Sequence, residues 1–348
     1  MASCSDSAAH AALDAACEEL ASLAERSAVE GPWASGAVRV LTRAGILARF
    51  VPADCGGTAD HEETLVETLA ATATACLTTA LALSQWAAAV RIIAAGPAEL
   101  RRALLPPLAR GETFTTVGIS QLTTSRRHLG RPALTADRDA AGWRLDGVCP
   151  WVTGADACAT IVTGAQAPDG QQVYFVVPTT AAGVTLEPPL AMLALSGSRT
   201  AAVRLTGARP AHVIEPPEQN APRAGGLATT ALALGAARAS IALVAAEATR
   251  REPLAPVAER LAAELGRLFQ RLTQAAREGL AATDRDRLRT AATDLALRAG
   301  QAALTASKGA GFVQGHPAER LVRESLFFVV WSCPQTVADA LLCELSGG

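Results

Sequence analysis

The sequence predicts a mainly helical protein: an N-terminal helical domain, a central antiparallel β-barrel or sandwich, and a C-terminal four-helix bundle. Three observations carry that prediction. Apolar and small residues recur at three- and four-residue spacing in the first and last thirds of the chain. From about Thr113 the period changes to short β-branched or aromatic segments. The resulting order, helices then strands then helices, does not alternate as a doubly wound sheet would. The domain limits fall at residues 1–113, 114–218 and 219–348.

In the first domain, helical periodicity runs from Ala11 to Leu23 and from Leu65 to Ala95. Between them GILARFVPADCGG holds Pro52 and Gly56-Gly57, which mark a loop. Gly96-Pro97 opens a helix at Ala98 with Glu99 in its first turn, and Pro106-Pro107 is expected to break it. In the second domain WRLDG, TIVTGAQ, QQVYFVVP, GVTLEPP and TAAVRL read as strands. Asp146-Gly147, Pro168-Asp169-Gly170 and Gly183 separate them as turns. The Pro- and Gly-rich stretch 215–226 is a linker. Four amphipathic stretches then give the bundle. They run through Leu227–Ile241, Val257–Leu272, Leu288–Ala302 and Val337–Leu345.

Composition narrows the function. Half of the 348 residues are hydrophobic and 18% are charged, which excludes a disordered chain. A net charge of −2 excludes a general nucleic-acid binder. Lys308 is the one lysine beside 30 arginines (31 cations in all), a bias that GC-rich base composition explains. The eight cysteines form no C-x-x-C pair and the five histidines no H-E-x-x-H, so no metal centre is expected, only reduced thiols. The N-terminus lacks the basic region of a signal peptide, and Arg91 and Arg238 cut the longest apolar runs. A soluble, cytoplasmic protein without a membrane span is the expectation.

Five segments, taken in order, resemble the acyl-CoA dehydrogenase superfamily. GILARFVPADCGG is similar to its "G-L-x-x-x-x-V-P-E-x-Y-G-G", and LLPPLARGE to the end of the last helix of its first domain. GVCPWVTGADACATIVTGA (147–165) resembles "G-x-K-x-W-I-T-N-A-x-x-A-D". LSGSRTAAVRLTGARPAHVI (195–214) resembles the segment that closes the β-domain. GAGFVQGHPAERLVRES (309–325) resembles "G-x-G-F-x-x-x-x-P-x-E-R-L-x-R-D-A". The resemblance spans roughly residues 25–345. It implies FAD between the β-domain and the bundle, a homodimer or homotetramer, and removal of a proton and a hydride from an acyl-CoA thioester.

Residue by residue, Trp151-Val152-Thr153 falls on the family's W-[IV]-T. There the ring stacks on the isoalloxazine and the threonine hydroxyl bonds N5. A hydroxyl suits both redox states because it can donate or accept. A buried core tryptophan beside a strand threonine is the alternative. Ser120 stands for the threonine that holds the flavin pyrimidine edge, although Gln121, Leu122 and Thr123 replace the acid, proline and glycine that follow it. Ser125, Arg126, Arg127 and His128 come where members bind CoA phosphates, and guanidinium forks suit phosphate. A solvated loop is the other reading. Ser198 and Thr200 match an S-x-T pair. Arg251 stands for the arginine that reaches the FAD pyrophosphate, or for an ordinary helix-surface arginine. Gly309 and Gly311 match a glycine turn whose first glycine is replaced by Lys308.

The general base is missing. The resemblance puts a carboxylate after an aromatic residue that corresponds to Trp331, and Ser332 occupies that position. The family's second location falls on Gly225. A serine hydroxyl is too weak a base at neutral pH without an activating partner. Glu319 and Glu324 match structural positions. Three readings follow: dehydrogenation of an acyl thioester, hydroxylation by reduced flavin and O2 with a reductase, or a degenerate member acting in binding or assembly. The electron acceptor is open in the first reading, and the reductase is undefined in the second.

Overall fold

A computed structural model describes residues 4–123, 132–167, 172–215, 226–331, 333 and 335–346. The N-terminal domain comprises α1 (Cys4–Ser22), α2 (Ala24–Glu30), α3 (Ala37–Arg43), α4 (Glu62–Ala75), α5 (Leu77–Ala94) and α6 (Ala98–Ala109). Two 3-10 turns, Leu47–Phe50 and Ala53–Cys55, fill the segment read as a loop. The single helix expected over Leu65–Ala95 is two helices. Cys76 is extended (φ −156°, ψ 104°), and the threonines before it bond backward, Thr72 Oγ1 to Thr68 O at 2.8 Å and Thr74 Oγ1 to Ala70 O at 2.9 Å. Pro106 and Pro107, expected to break a helix, lie inside the last turns of α6. The carbonyls that lose their donors belong to Arg102 and Ala103, which are exposed, so water replaces those bonds.

The β-domain is one sheet of eight strands: β1 (Thr115–Gly118), β2 (Leu134–Asp139), β3 (Gly142–Val152), β4 (Thr160–Gln166), β5 (Gln172–Pro178), β6 (Val184–Leu186), β7 (Ala201–Ala208) and β8 (His212–Ile214). The path is β6-β7-β3-β2-β4-β5-β8, with β1 added on β4. The sheet is mixed rather than antiparallel throughout, since β1 and β2 pair β4 in parallel. A helix, α7 (Ser120–Thr123), follows β1. Asp146-Gly147 is a bulge within β3 and not a turn. A Cβ on Gly147 would lie 2.2 Å from Ala133 O, and Asp146 Oδ1 accepts from Gly207 N at 2.8 Å. Leu134, Leu145, Cys149, Val152, Ile161, Phe175, Val203 and Leu205 form this domain's core.

The C-terminal domain holds α8 (Leu227–Ala248), α9 (Ala255–Glu278), α10 (Ala282–Ser307), α11 (Pro317–Ser325) and α12 (Gln335–Ser346). Helix α8 is apolar on every side because α4, α9, α10 and α11 surround it. Gly235 permits the closest approach: a Cβ there would sit 2.4 Å from Ala70 O. Contrary to the reading of the apolar runs, α5 and α8 are each long and apolar enough to cross a membrane by length and composition. Within the fold, 72% and 67% of their apolar windows are buried, as core helices require.

Candidate functional site

Strand alternation creates the first feature of the site. At the end of β3, Val152 points into the core with no exposure, while Trp151 points outward and is 50% exposed. The Val152–Ala201 pairing with β7 then sets Thr153 beside Thr200. Their hydroxyls are 3.0 Å apart, and Thr200 Oγ1 lies 2.8 Å from Ser198 Oγ. All three residues are buried. They make one row of hydroxyls ending beside the exposed indole.

The loops bearing this row are held from several sides. Gly154 takes the left-handed conformation (φ 62°), and Trp33 of the N-terminal domain lies against it; a Cβ there would be 2.2 Å from the Trp33 ring. Gly197 rests on α2, where a Cβ would lie 2.1 Å from Ser27 O. Leu195 and Arg199 both have positive φ, 62° and 51°. Arg199 Nε donates to Asp156 Oδ2 at 2.6 Å, joining the loop before β7 to the turn after β3. From α11, Arg323 Nη1 donates to Leu193 O at 2.7 Å and Nε to Glu319 Oε1 at 2.6 Å. The bundle thereby grips the same loop. Neither Trp33 nor Arg323's reach to Leu193 was readable in advance, because both contacts join distant parts of the chain.

Ser120 opens α7, half-buried, directly after β1 and Ile119. Gln121 turns into the β-domain, its Nε2 donating to Gly118 O and Gly164 O, each at 3.0 Å, and to Thr163 Oγ1 at 3.1 Å. Ser125, Arg126, Arg127, His128, Gly225 and Ser332 lie outside the described residues.

Residues 6–112 match the family "Acyl-CoA dehydrogenase, N-terminal domain". The glutaryl-coenzyme A dehydrogenase glutaryl-CoA complex superposes with a TM-score of 0.81 at 16% identity, covering 96% of this chain and 95% of that one. Butyryl-CoA dehydrogenase from Megasphaera elsdenii gives 0.81 at 17%, covering 98% and 99%. The chain has the acyl-CoA dehydrogenase-like fold. Dibenzothiophene monooxygenase from Paenibacillus sp. A11-2 has the same acyl-CoA dehydrogenase-like fold (TM-score 0.77, 17% identity, 97% of each chain). No curated protein matches by sequence.

In this acyl-CoA dehydrogenase-like bundle the remaining candidates cluster at the end of α10. Arg251 donates through Nη2 to Glu247 Oε2 at 2.6 Å and to the Ala306 carbonyl, which ties one arm of its fork to the bundle. Gly309 and Gly311 lie on the 3-10 turn Lys308–Phe312. Gly309 is open, whereas a Cβ on Gly311 would sit 2.6 Å from Ser307 Cβ. Lys308 is exposed and adopts φ 53°, ψ −148°, a region that otherwise belongs to glycine. Under the C-terminal end of the bundle, Arg289 is fully buried and donates to the carbonyls of Phe328 and Trp331, each at 3.2 Å. Burial pushes its pKa down to about 9.

Proposed function

We propose that the chain is an FAD-dependent oxidoreductase whose flavin lies on Trp151 with Thr153 at its reactive edge, and that its substrate is an acyl thioester. The observation that supports this reading is the exposed indole set beside a buried hydroxyl row, within an acyl-CoA dehydrogenase-like fold. The residues fit a flavin. An indole with an open face offers a flat stacking surface, and a hydroxyl next to it can donate or accept. When bound, the flavin supplies a reversible two-electron acceptor. Trp151 orients the ring plane, Val152 fills the core behind it, and Thr153 presents its hydroxyl at one edge. Ser120 is assigned the pyrimidine edge, and Gly309 and Gly311 the side of the bundle. Arg251 would have to free its Nη2 arm from Glu247 and Ala306 to offer a pyrophosphate its full fork. Arg126, Arg127 and His128 are assigned to the phosphates of a CoA substrate. Apolar side chains exposed along the bundle, Phe312, Val313, Val330 and Leu342, support assembly as a homodimer or homotetramer.

One observation favours a second reading. Neither Ser332 nor Gly225 can remove an α-proton, and O2 chemistry on reduced flavin from a partner reductase needs no carboxylate there. The test is the visible spectrum of the purified protein with FAD. A flavin spectrum bleached anaerobically by an acyl-CoA supports dehydrogenation. Product formed only with O2 and a reductase moves the assignment to a monooxygenase. Colourless protein that takes up no FAD overturns both and leaves a degenerate binding protein.

A further inference from the structure

The hydroxyl row of Ser198, Thr200 and Thr153 has a direction. Each hydroxyl carries one proton and can accept as well as donate. Three arrangements are consistent with spacings of 2.8 and 3.0 Å: in one, both neighbours donate to Thr200 and leave its own proton without a partner in the row, and the other two run in one direction. In the outward arrangement Ser198 donates to Thr200, Thr200 donates to Thr153, and Thr153 donates to whatever lies at its free side. In the inward arrangement Thr153 accepts from outside and donates to Thr200, and Thr200 donates to Ser198. The two differ only in three hydroxyl rotations, with no net proton movement.

The surroundings make them unequal. Ser198 has no exposure, and among the described residues its Oγ has no hydrogen-bond partner besides Thr200. The outward arrangement uses all three protons. The inward one leaves the Ser198 proton buried without an acceptor, which is the costly condition for a polar group. Heavy atoms cannot move to relieve it. Gly197 is wedged on the Ser27 and Ala28 carbonyls, and Arg199 is tied to Asp156.

We infer that Thr200 and Ser198 are positioning residues that bias the Thr153 hydroxyl to donate toward the flavin edge. This rests on the flavin reading above. A row biased to donate matches the acceptor edge of an oxidised flavin and opposes the N–H that reduction places there. It therefore holds the flavin potential low.

The experiment measures the midpoint potential of the FAD-loaded full chain and of Thr200→Val, Ser198→Ala, Thr153→Val and the Thr200→Val/Thr153→Val double variant. Breaking the row at Thr200, which removes the donor that polarises the Thr153 hydroxyl outward, is expected to raise the potential by about 30 mV, a tenfold shift of the oxidised-to-reduced ratio for a two-electron couple. Ser198→Ala, which leaves Thr153 as the acceptor for Thr200, is expected to raise it less. Thr200→Ser, which keeps the hydroxyl, is expected to restore the parent value. It also guards against misfolding of the valine variant. Within a Thr153→Val background, Thr200→Val is expected to add nothing. A potential unchanged in Thr200→Val but moved in Thr153→Val would overturn the row while leaving the flavin reading intact. A parent chain that takes up no FAD overturns both.

Discussion

The β-domain face around Trp151 and the bundle end around Lys308 handle demanding positions in opposite ways. On the β-face, residues in sparsely populated conformations are locked in place. Leu195 and Arg199 have positive φ, yet their loop is held by Asp156, Arg323 and the backbone of α2. At the bundle end the strain has no such support. Lys308 takes a glycine conformation while exposed, and Arg251 is diverted to Glu247 and Ala306. Arg289 lies fully buried, with its Nε and Nη1 unpartnered among the described residues. Strain that is over-determined by its surroundings marks a pre-organised surface. The β-face meets that description, and the bundle end does not.

The largest expected effect tests the locked side. Gly197→Ala places a Cβ 2.1 Å from Ser27 O, where only backbone can yield. It is expected to cost about 3 kcal/mol in unfolding free energy by urea titration. A cost below about 1 kcal/mol would show that the loop is not wedged.

The bundle end gives a smaller effect of opposite sign. Lys308→Gly removes an exposed side chain from φ 53° and is expected to stabilise by about 1 kcal/mol, read as a higher urea midpoint with unchanged slope. Destabilisation would mean that Lys308 makes a contact worth more than its strain.

The smallest is a pH effect on α11. Burial raises the Glu324 pKa above the ordinary glutamate value, only partly offset by Arg320, whose Nη1 lies 3.2 Å from it. The native state therefore binds the more protons between the unfolded and folded pKa values. This contribution to stability is complete below the unfolded pKa and falls as pH rises through the raised one. Glu324→Gln is expected to flatten that limb, checked by thermal unfolding from pH 4 to 8. An unchanged pH slope would contradict it.

Much of this architecture was legible because it depends on local pattern. β4 begins and ends with TIVTGAQ, and the Leu261–Leu265–Leu268–Leu272 stripe is the buried face of α9. The failures have one cause. Pro106-Pro107, the helical run Leu65–Ala95 and Asp146-Gly147 carry expectations from local propensity, and each is decided by what faces it: water, threonine back-bonds before Cys76 and the Ala133 carbonyl. The same holds for the site. Trp151 and Thr153 could be picked out by their motif, but Trp33 on Gly154, Arg323 on Leu193 and the Thr153–Thr200 pairing exist only once distant segments meet.

The central claim is that the β-face, and not Arg251, holds the cofactor. FAD affinity of the purified chain tests it most directly, by titration of Trp151→Ala beside Arg251→Ala. Loss of a stacking surface worth roughly 1–3 kcal/mol is expected to weaken binding about tenfold or more in Trp151→Ala. Arg251→Ala, which removes a side chain already tied to the bundle, is expected to change it less than about threefold. The reverse order, with Arg251→Ala abolishing FAD uptake and Trp151→Ala leaving it unchanged, would contradict the account.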